Sequence, residues 1–167
     1  MTILPLIISF ASIALLTGAD QFIKLWAIDN LKGQPSMEFI SIGGHKILDL
    51  TYLENSGAVF GSFAGMRWLL IAVTSGLMVF CVWYMIRHKT EKLTLISMTL
   101  IVSGGIGNII DRLFRGGKVV DYFDVKFMKF AIFNFADVCV VIGVVLLLIH
   151  ILFTDFIKKK PAEKKDA

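Results

Sequence analysis

The sequence predicts an α-helical integral membrane protein: four transmembrane helices with a small β-structured element at one membrane surface. Three observations predict it. Hydrophobic residues make up 56% of the 167-residue chain, above the roughly 45–50% of an ordinary soluble domain, and mean hydropathy is +0.77. The apolar residues gather into four runs, each near the roughly 20 residues that cross a bilayer. Two of the connections between runs alternate and are rich in β-formers, which a plain linker would not require.

The first run covers residues 3–19 and continues past Asp20 to about Ile28. It lacks a positively charged lead-in and passes directly into "DQFIKLW", so it reads as a retained helix and not a cleaved signal. "MEFISIGGHKILDLTYLEN" then alternates around Gly43 and Gly44, the pattern of a hairpin. The second run, 68–86, and the third, 93–110, are separated by "RHKTEK". "GKVVDYFDVKF" reads as a further short strand, and the fourth run covers 130–153. Strand backbone cannot stand bare in lipid, which places these segments at the membrane surface. The length is that of one domain. Residues 1–157 are read as a single membrane domain and 158–167 as a basic, disordered tail.

Lys and Arg accumulate on the cytoplasmic side of a membrane protein. "RHKTEK" carries Arg87, Lys89 and Lys92 against Glu91, and the tail carries five lysines. Both lie on one side if the four helices run with both termini in the cytoplasm, as in a multi-pass membrane protein. Connections 29–67 and 112–129 then face outside. The second of these works against the rule, since it holds Arg112, Arg115, Lys118, Lys126 and Lys129. The basic tail is matched to anionic lipid headgroups and not to nucleic acid. Cys81 and Cys139 both fall inside apolar runs, without a CxxC pair or a zinc spacing, so they read as buried thiols.

The polar residues converge. Asp20 and Lys24, spaced i,i+4, lie toward the outer end of the first run. Asn108 and Asp111 end the third. Asn134 and Asp137 lie in the first turns of the fourth, with Asp137 expected about 10 Å inside at about 1.5 Å per residue. Asn55, Arg112 and Asp121 come from the outside connections. Ionisable residues within a membrane are costly and mark function unless an ion-pair network explains them. Such a network accounts for Asp20 with Lys24, and Asp111 could simply hold Arg112, or Asp121 pair with Lys118. Asp137 has no cation on its own run. Gly104, Gly105 and Gly107 in "SGGIGN" read as packing residues that let helices approach.

The available chemistry is narrow. His88 and His150 fall at the far side of the membrane from this cluster, and His45 sits in the hairpin. Neither cysteine has a histidine beside it, and no metal-binding spacing such as HExxH occurs. Ser56 with Lys24 could form a dyad, but Lys24 has a nearer partner in Asp20. Carboxylates remain. Two brought together share a proton, so one can activate water while the other protonates a carbonyl oxygen. At this point the residues allow an aspartyl hydrolase without metal or cofactor, or an ion-coupled small transporter with a polar core. A transporter would place its carboxylates near the midplane.

Five motifs occur in order: "DQFIK" at 20–24, "ENSGAVFG" at 54–61, "GGIGNIIDR" at 104–112, "VVDYFDV" at 119–125 and "FNFAD" at 133–137. Together they resemble bacterial lipoprotein signal peptidase, signal peptidase II, over almost the whole chain. The resemblance implies four transmembrane helices, a β-cradle outside the membrane and a short amphipathic helix at 62–68. It implies aspartic endopeptidase activity on diacylglyceryl-modified prolipoproteins, cut just before the lipidated cysteine, with membrane lipids as surroundings. Carried over by motif, Asp121 and Asp137 are the catalytic pair. Asn55, Gly57, Asn108, Arg112 and Asn134 match pocket positions, Asp111 a supporting aspartate, and Asp20 and Lys24 a polar pair that steadies the site. Tyr122 stands where the family often has Phe, a difference expected to be tolerated.

Overall fold

The computed structural model describes residues 3–57, 63 and 65–158, with side chains through residue 154. Its elements run α1 (Leu4–Leu31), β1 (Met37–Ile42), β2 (His45–Asn55), α2 (Arg67–Arg87), α3 (Lys92–Phe114), β3 (Val119–Val125) and α4 (Phe135–Lys158). All four helices are long and apolar enough to cross a membrane. Residues 159–167 of the expected tail lie outside the described residues, as do Ser62 and Ala64 of the expected amphipathic helix. Arg67 and Trp68, at the end of that stretch, instead open α2.

α3 is the central helix and is buried along most of its length, while α1, α2 and α4 turn most of theirs outward. Its small residues explain why it sits there. A side chain at Gly104 would strike the Ala136 carbonyl oxygen of α4, and one at Gly143 of α4 would lie 2.7 Å from the Ser97 carbonyl oxygen of α3. The two helices therefore approach through reciprocal glycines, the means by which helices associate closely in lipid. Gly105 makes room for Met78 of α2, and Gly107 for the Asp20 carboxylate of α1. Ile13, Met78, Met85, Met98 and Val102 fill the space between α1, α2 and α3.

The sheet has the order β1-β2-β3, antiparallel throughout. Gly43 and Gly44 both adopt positive φ, 59° and 80°, the conformation that a two-residue hairpin turn requires. β3 returns from α3 to pair with β2, setting Leu53 opposite Asp121 and Asn55 opposite Val119. α1 has 28 residues, about 42 Å at about 1.5 Å each, so it outreaches a hydrocarbon core of about 30 Å. The sheet packs on its projecting end, where Ala27 and Leu31 meet Leu50, Val120 and Tyr122.

Two boundaries differ from the sequence reading. Arg112 belongs to α3, not to the following connection. α4 begins at Phe135, five residues after the expected start. Phe130 to Asn134 precede it as non-helical backbone, and Phe133 bridges to Phe123 of β3. Apolar content cannot distinguish such a lead-in from a helical turn. Asp137 is consequently the third residue of its helix, within its first turn and not about 10 Å along it.

Candidate active site

Asn134 is the N-cap of α4 and Asp137 its N3 residue. The Asp137 backbone N–H donates to Asn134 Oδ1 at 3.0 Å, and the Asn134 backbone N–H donates to Asp137 Oδ2 at 3.1 Å. This reciprocal pair is a capping box, built from Asn and Asp. The other two free amides of the first turn also find side chains. Phe135 N–H donates to the Tyr122 hydroxyl and Ala136 N–H to Asp20 Oδ1, both at 3.1 Å. All four orphan donors of a helix start are thus satisfied by side chains from α1, β3 and α4 itself.

The same cap joins the two candidate aspartates. Asn134 Nδ2 donates to Asp121 Oδ1 at 2.6 Å. Asn55 Nδ2 donates to the other Asp121 oxygen at 3.1 Å. Asn108 Nδ2 donates to Asp137 Oδ1 at 2.8 Å. Both carboxylates are held by neutral amides, and among the described residues neither has an ion-pair partner within 4 Å. Asp121 is 2% exposed. Burial, and then the charge of Asp137, push its carboxyl up to about 7, while the bonds from Asn55 and Asn134 pull it down.

Asp20, Lys24 and Asp111 form a separate, closed cluster behind this pair. Lys24 Nζ lies 2.9 Å from Asp20 and 3.0 Å from Asp111, all three essentially without solvent exposure. Its third bond, 3.0 Å, goes to Asn108 Oδ1, which fixes the amide that holds Asp137. Asp111 also pairs with Arg115 and accepts the Val120 N–H at 3.1 Å, tying α3 to β3. It does not hold Arg112. The guanidinium of Arg112 donates to the Gly57 carbonyl at 2.8 Å, and its buried Nε has no hydrogen-bond partner among the described residues. Gly57 is fixed from the other side by its N–H on Asn55 Oδ1, 2.9 Å.

Two pairings that the sequence left open do not form. Lys118 pairs with Glu54 at 2.7 Å and not with Asp121; with Lys32 it holds the Glu54 carboxyl down at about 2. Ser56 is exposed while Lys24 is committed to its cluster, so the geometry offers no serine–lysine dyad. Sequence reasoning missed Gln21, Arg115 and Tyr122. Arg115 was accessible from its i,i+4 spacing to Asp111. Gln21 and Tyr122 act across elements, and only the fold reveals their partners.

A cavity of about 480 Å³ opens on the pair. Asn55, Gly57, Arg112, Asp121 and Asp137 line its polar part, and Phe130 to Phe133, Val138 and Val140 to Ile142 contribute its apolar wall. The family model for signal peptidase (SPase) II matches residues 12–153 of this chain. The chain belongs to the signal peptidase II family. This is a family of aspartic peptidases. Lipoprotein signal peptidase of Clostridioides difficile (strain 630) is 40% identical over 141 residues, 84% of this chain and 92% of that protein. The Streptococcus agalactiae (serotype III, strain NEM316) protein of the same name is 41% identical over 136 residues, 81% and 85% of the two chains. A bacterial membrane enzyme solved by the in meso method superposes with a TM-score of 0.79 at 29% identity, covering 94% of each chain. Family and fold agree with the resemblance carried by the five motifs and leave the transporter alternative without support.

Proposed function

We propose that this chain removes signal peptides from diacylglyceryl-modified prolipoproteins, cutting the peptide bond before the lipidated cysteine, with Asp121 and Asp137 as the catalytic pair. The observation that carries the reading is the arrangement around Asn134. One asparagine holds both carboxylates, no cation among the described residues forms an ion pair with either, and both line one cavity. Asp121 retains a proton near neutral pH and donates it to the scissile carbonyl oxygen. Asp137, whose oxygens accept from N–H donors alone, takes a proton from water as the water oxygen bonds to the carbonyl carbon. Collapse of the tetrahedral intermediate breaks the C–N bond. The proton from Asp137 passes to the leaving nitrogen, and the hydroxyl proton returns to Asp121.

The other residues of the site take their roles from the pair. Asn55, Asn108 and Asn134 aim the pair, and Gly57 and Arg112 line the pocket for the extended peptide. Asp20, Lys24 and Asp111 support it from behind. The apolar wall along α4 is continuous with the lipid-facing side of the helix, where Val141, Ile142 and Val145 are exposed. Acyl chains lying there would hold the scissile bond in place.

The orientation proposed is that both termini are cytoplasmic in the inner membrane, with the sheet and site outside. Residues 1–157 act as one membrane domain and 158–167 as a cytoplasmic basic tail. Three of the five basic residues of the second outside connection are held in ion pairs. Arg115 pairs with Asp111, Lys118 with Glu54 and Lys126 with Asp124.

Purified protein should cleave a diacylglyceryl lipobox peptide and leave the unlipidated peptide almost untouched. Equal turnover of the two would defeat the substrate assignment. A cysteine replacing Gly44 should react with an impermeant thiol reagent on intact cells, and one replacing Lys160 should not. Reversed labelling would invert the orientation.

A further inference from the structure

Tyr122 follows Asp121 directly, and neighbouring residues on a strand face opposite ways. Asp121 faces the cavity, while Tyr122 points into the core between the sheet and α1 and is 1% exposed. It is nevertheless bonded to the active-site segment at both ends. Its backbone N–H donates to the Phe133 carbonyl oxygen at 3.1 Å. Its hydroxyl accepts the Phe135 N–H at 3.1 Å. The residue between those two anchor points is Asn134, the side chain that holds both aspartates. Phe123 adds a second strand-type tie to Phe133 through N–H donors in both directions, 2.8 and 3.1 Å.

We propose that Tyr122 is a positioning residue for the reaction: its hydroxyl clamps the first amide of α4 and so holds Asn134, and through it Asp137, at a fixed place relative to Asp121. The inference rests on the assignment of Asp121 and Asp137 as the catalytic pair. A phenylalanine at 122 would fill the same core but leave the Phe135 N–H buried without an acceptor, and such a donor is costly. The helix start would shift to find a partner or water. Asn134 and Asp137 would shift with it, because they belong to the same turn.

The test begins with Tyr122→Phe in the full-length protein, assayed on the lipidated peptide. We expect kcat to fall about tenfold or more, since geometry made for the transition state is lost, with KM changed less than about twofold. The pH profile supplies a readout that loss of stability alone would not move. The charges around Asp121 are Asp137, Lys24 and Arg112. When Asp137 loosens, its charge raises Asp121 less, so the alkaline limb of kcat moves to lower pH. Tyr52→Phe is the control, because its hydroxyl lies in the same packing cluster but bonds Glu54; it should leave kcat and the limb in place.

Phe135→Pro closes a cycle. Proline suits the first helical position and has no N–H, so Tyr122→Phe should cost no further kcat in that background. An equal cost in both backgrounds would overturn the clamp, as would a Tyr122→Phe enzyme with normal kcat or an unmoved alkaline limb. Asp121→Asn and Asp137→Asn run alongside. If they stay active, the underlying pair assignment fails. If they are dead while Tyr122→Phe is normal, the clamp alone fails.

Discussion

Two groups of carboxylates share the sheet end of the bundle, and they are stabilised in opposite ways. Asp20 and Asp111 surround Lys24 and leave no exposed surface. Asp121 and Asp137 have amides for partners and a cavity beside them. The residue type is the same, and all four lie within a few bonds of Asn108 or Asn134. The difference is the cation. A carboxylate paired in a dry interior has its charge consumed by structure, whereas one held by neutral donors keeps a proton equilibrium available for chemistry. The two groups also communicate, because Lys24 bonds the Asn108 oxygen and the Asn108 nitrogen bonds Asp137.

The sharpest way to break this comparison is to neutralise each aspartate in turn. Asp121→Asn or Asp137→Asn should keep the fold and lower turnover about 10²–10⁴-fold, the usual share of general acid–base catalysis. The double variant should be little worse than either single one, since the pair works as a unit. Ser56→Ala should be near normal. Turnover of a lipidated peptide by purified, folded variants decides this, and a near-normal Asp137→Asn would place the chemistry elsewhere.

Removing the cation from the closed group should act on folding instead. Lys24→Met leaves two buried carboxylates facing each other, and breaking a buried pair costs about 3–5 kcal/mol. Thermal unfolding in detergent should show a large loss. Asp20→Asn keeps an acceptor for the Ala136 N–H and should lose less stability, about 1–3 kcal/mol, while kcat per folded molecule stays within about threefold of normal. A folded, normally stable Asp20→Asn with no turnover would make the closed group part of the chemistry.

A smaller effect sharpens the comparison through pH. The Asp121 carboxyl is raised from 3.8 to about 7 in the folded protein. The folded state therefore binds this proton more tightly than the unfolded one. This group's contribution to stability falls as pH rises across that window and is lost above about 7. Asp121→Asn should remove that part of the slope, so its Tm should exceed that of the parent at pH 8 by more than at pH 4. Parallel curves for the two proteins would show that Asp121 is not held against ionisation.

The four spans were legible because lipid demands long apolar runs, and the runs in the sequence end within a few residues of α1, α2 and α3. The hairpin was legible from Gly43 and Gly44, whose positive φ is a local property. The start of α4 was not. Phe130 to Phe133 are as apolar as a helix turn, and what stops the helix there is the bridge to β3, a contact between distant segments. The site followed the same division. The i,i+4 spacing exposed Asp20 with Lys24. The role of Asn134 as the joint between Asp121 and Asp137 depended on β3 returning beside β2, which no local pattern contains. The pairing of Lys118 was not legible for the same reason, since its partner Glu54 lies 64 residues earlier.

The cap of α4 has a consequence for how the protein is made. Its partners from other elements are Asp20, 116 residues before the amide it accepts, and Tyr122, 13 before. A ribosome delivers α1 and β3 first and the fourth helix last. The amides of that helix meet waiting acceptors only when its first turn emerges, and Asp137 arrives in the same turn. Every shorter nascent chain lacks one of the two aspartates. On the proposed assignment of the pair, synthesis withholds hydrolytic capacity until the other three spans and the sheet strands have already been produced.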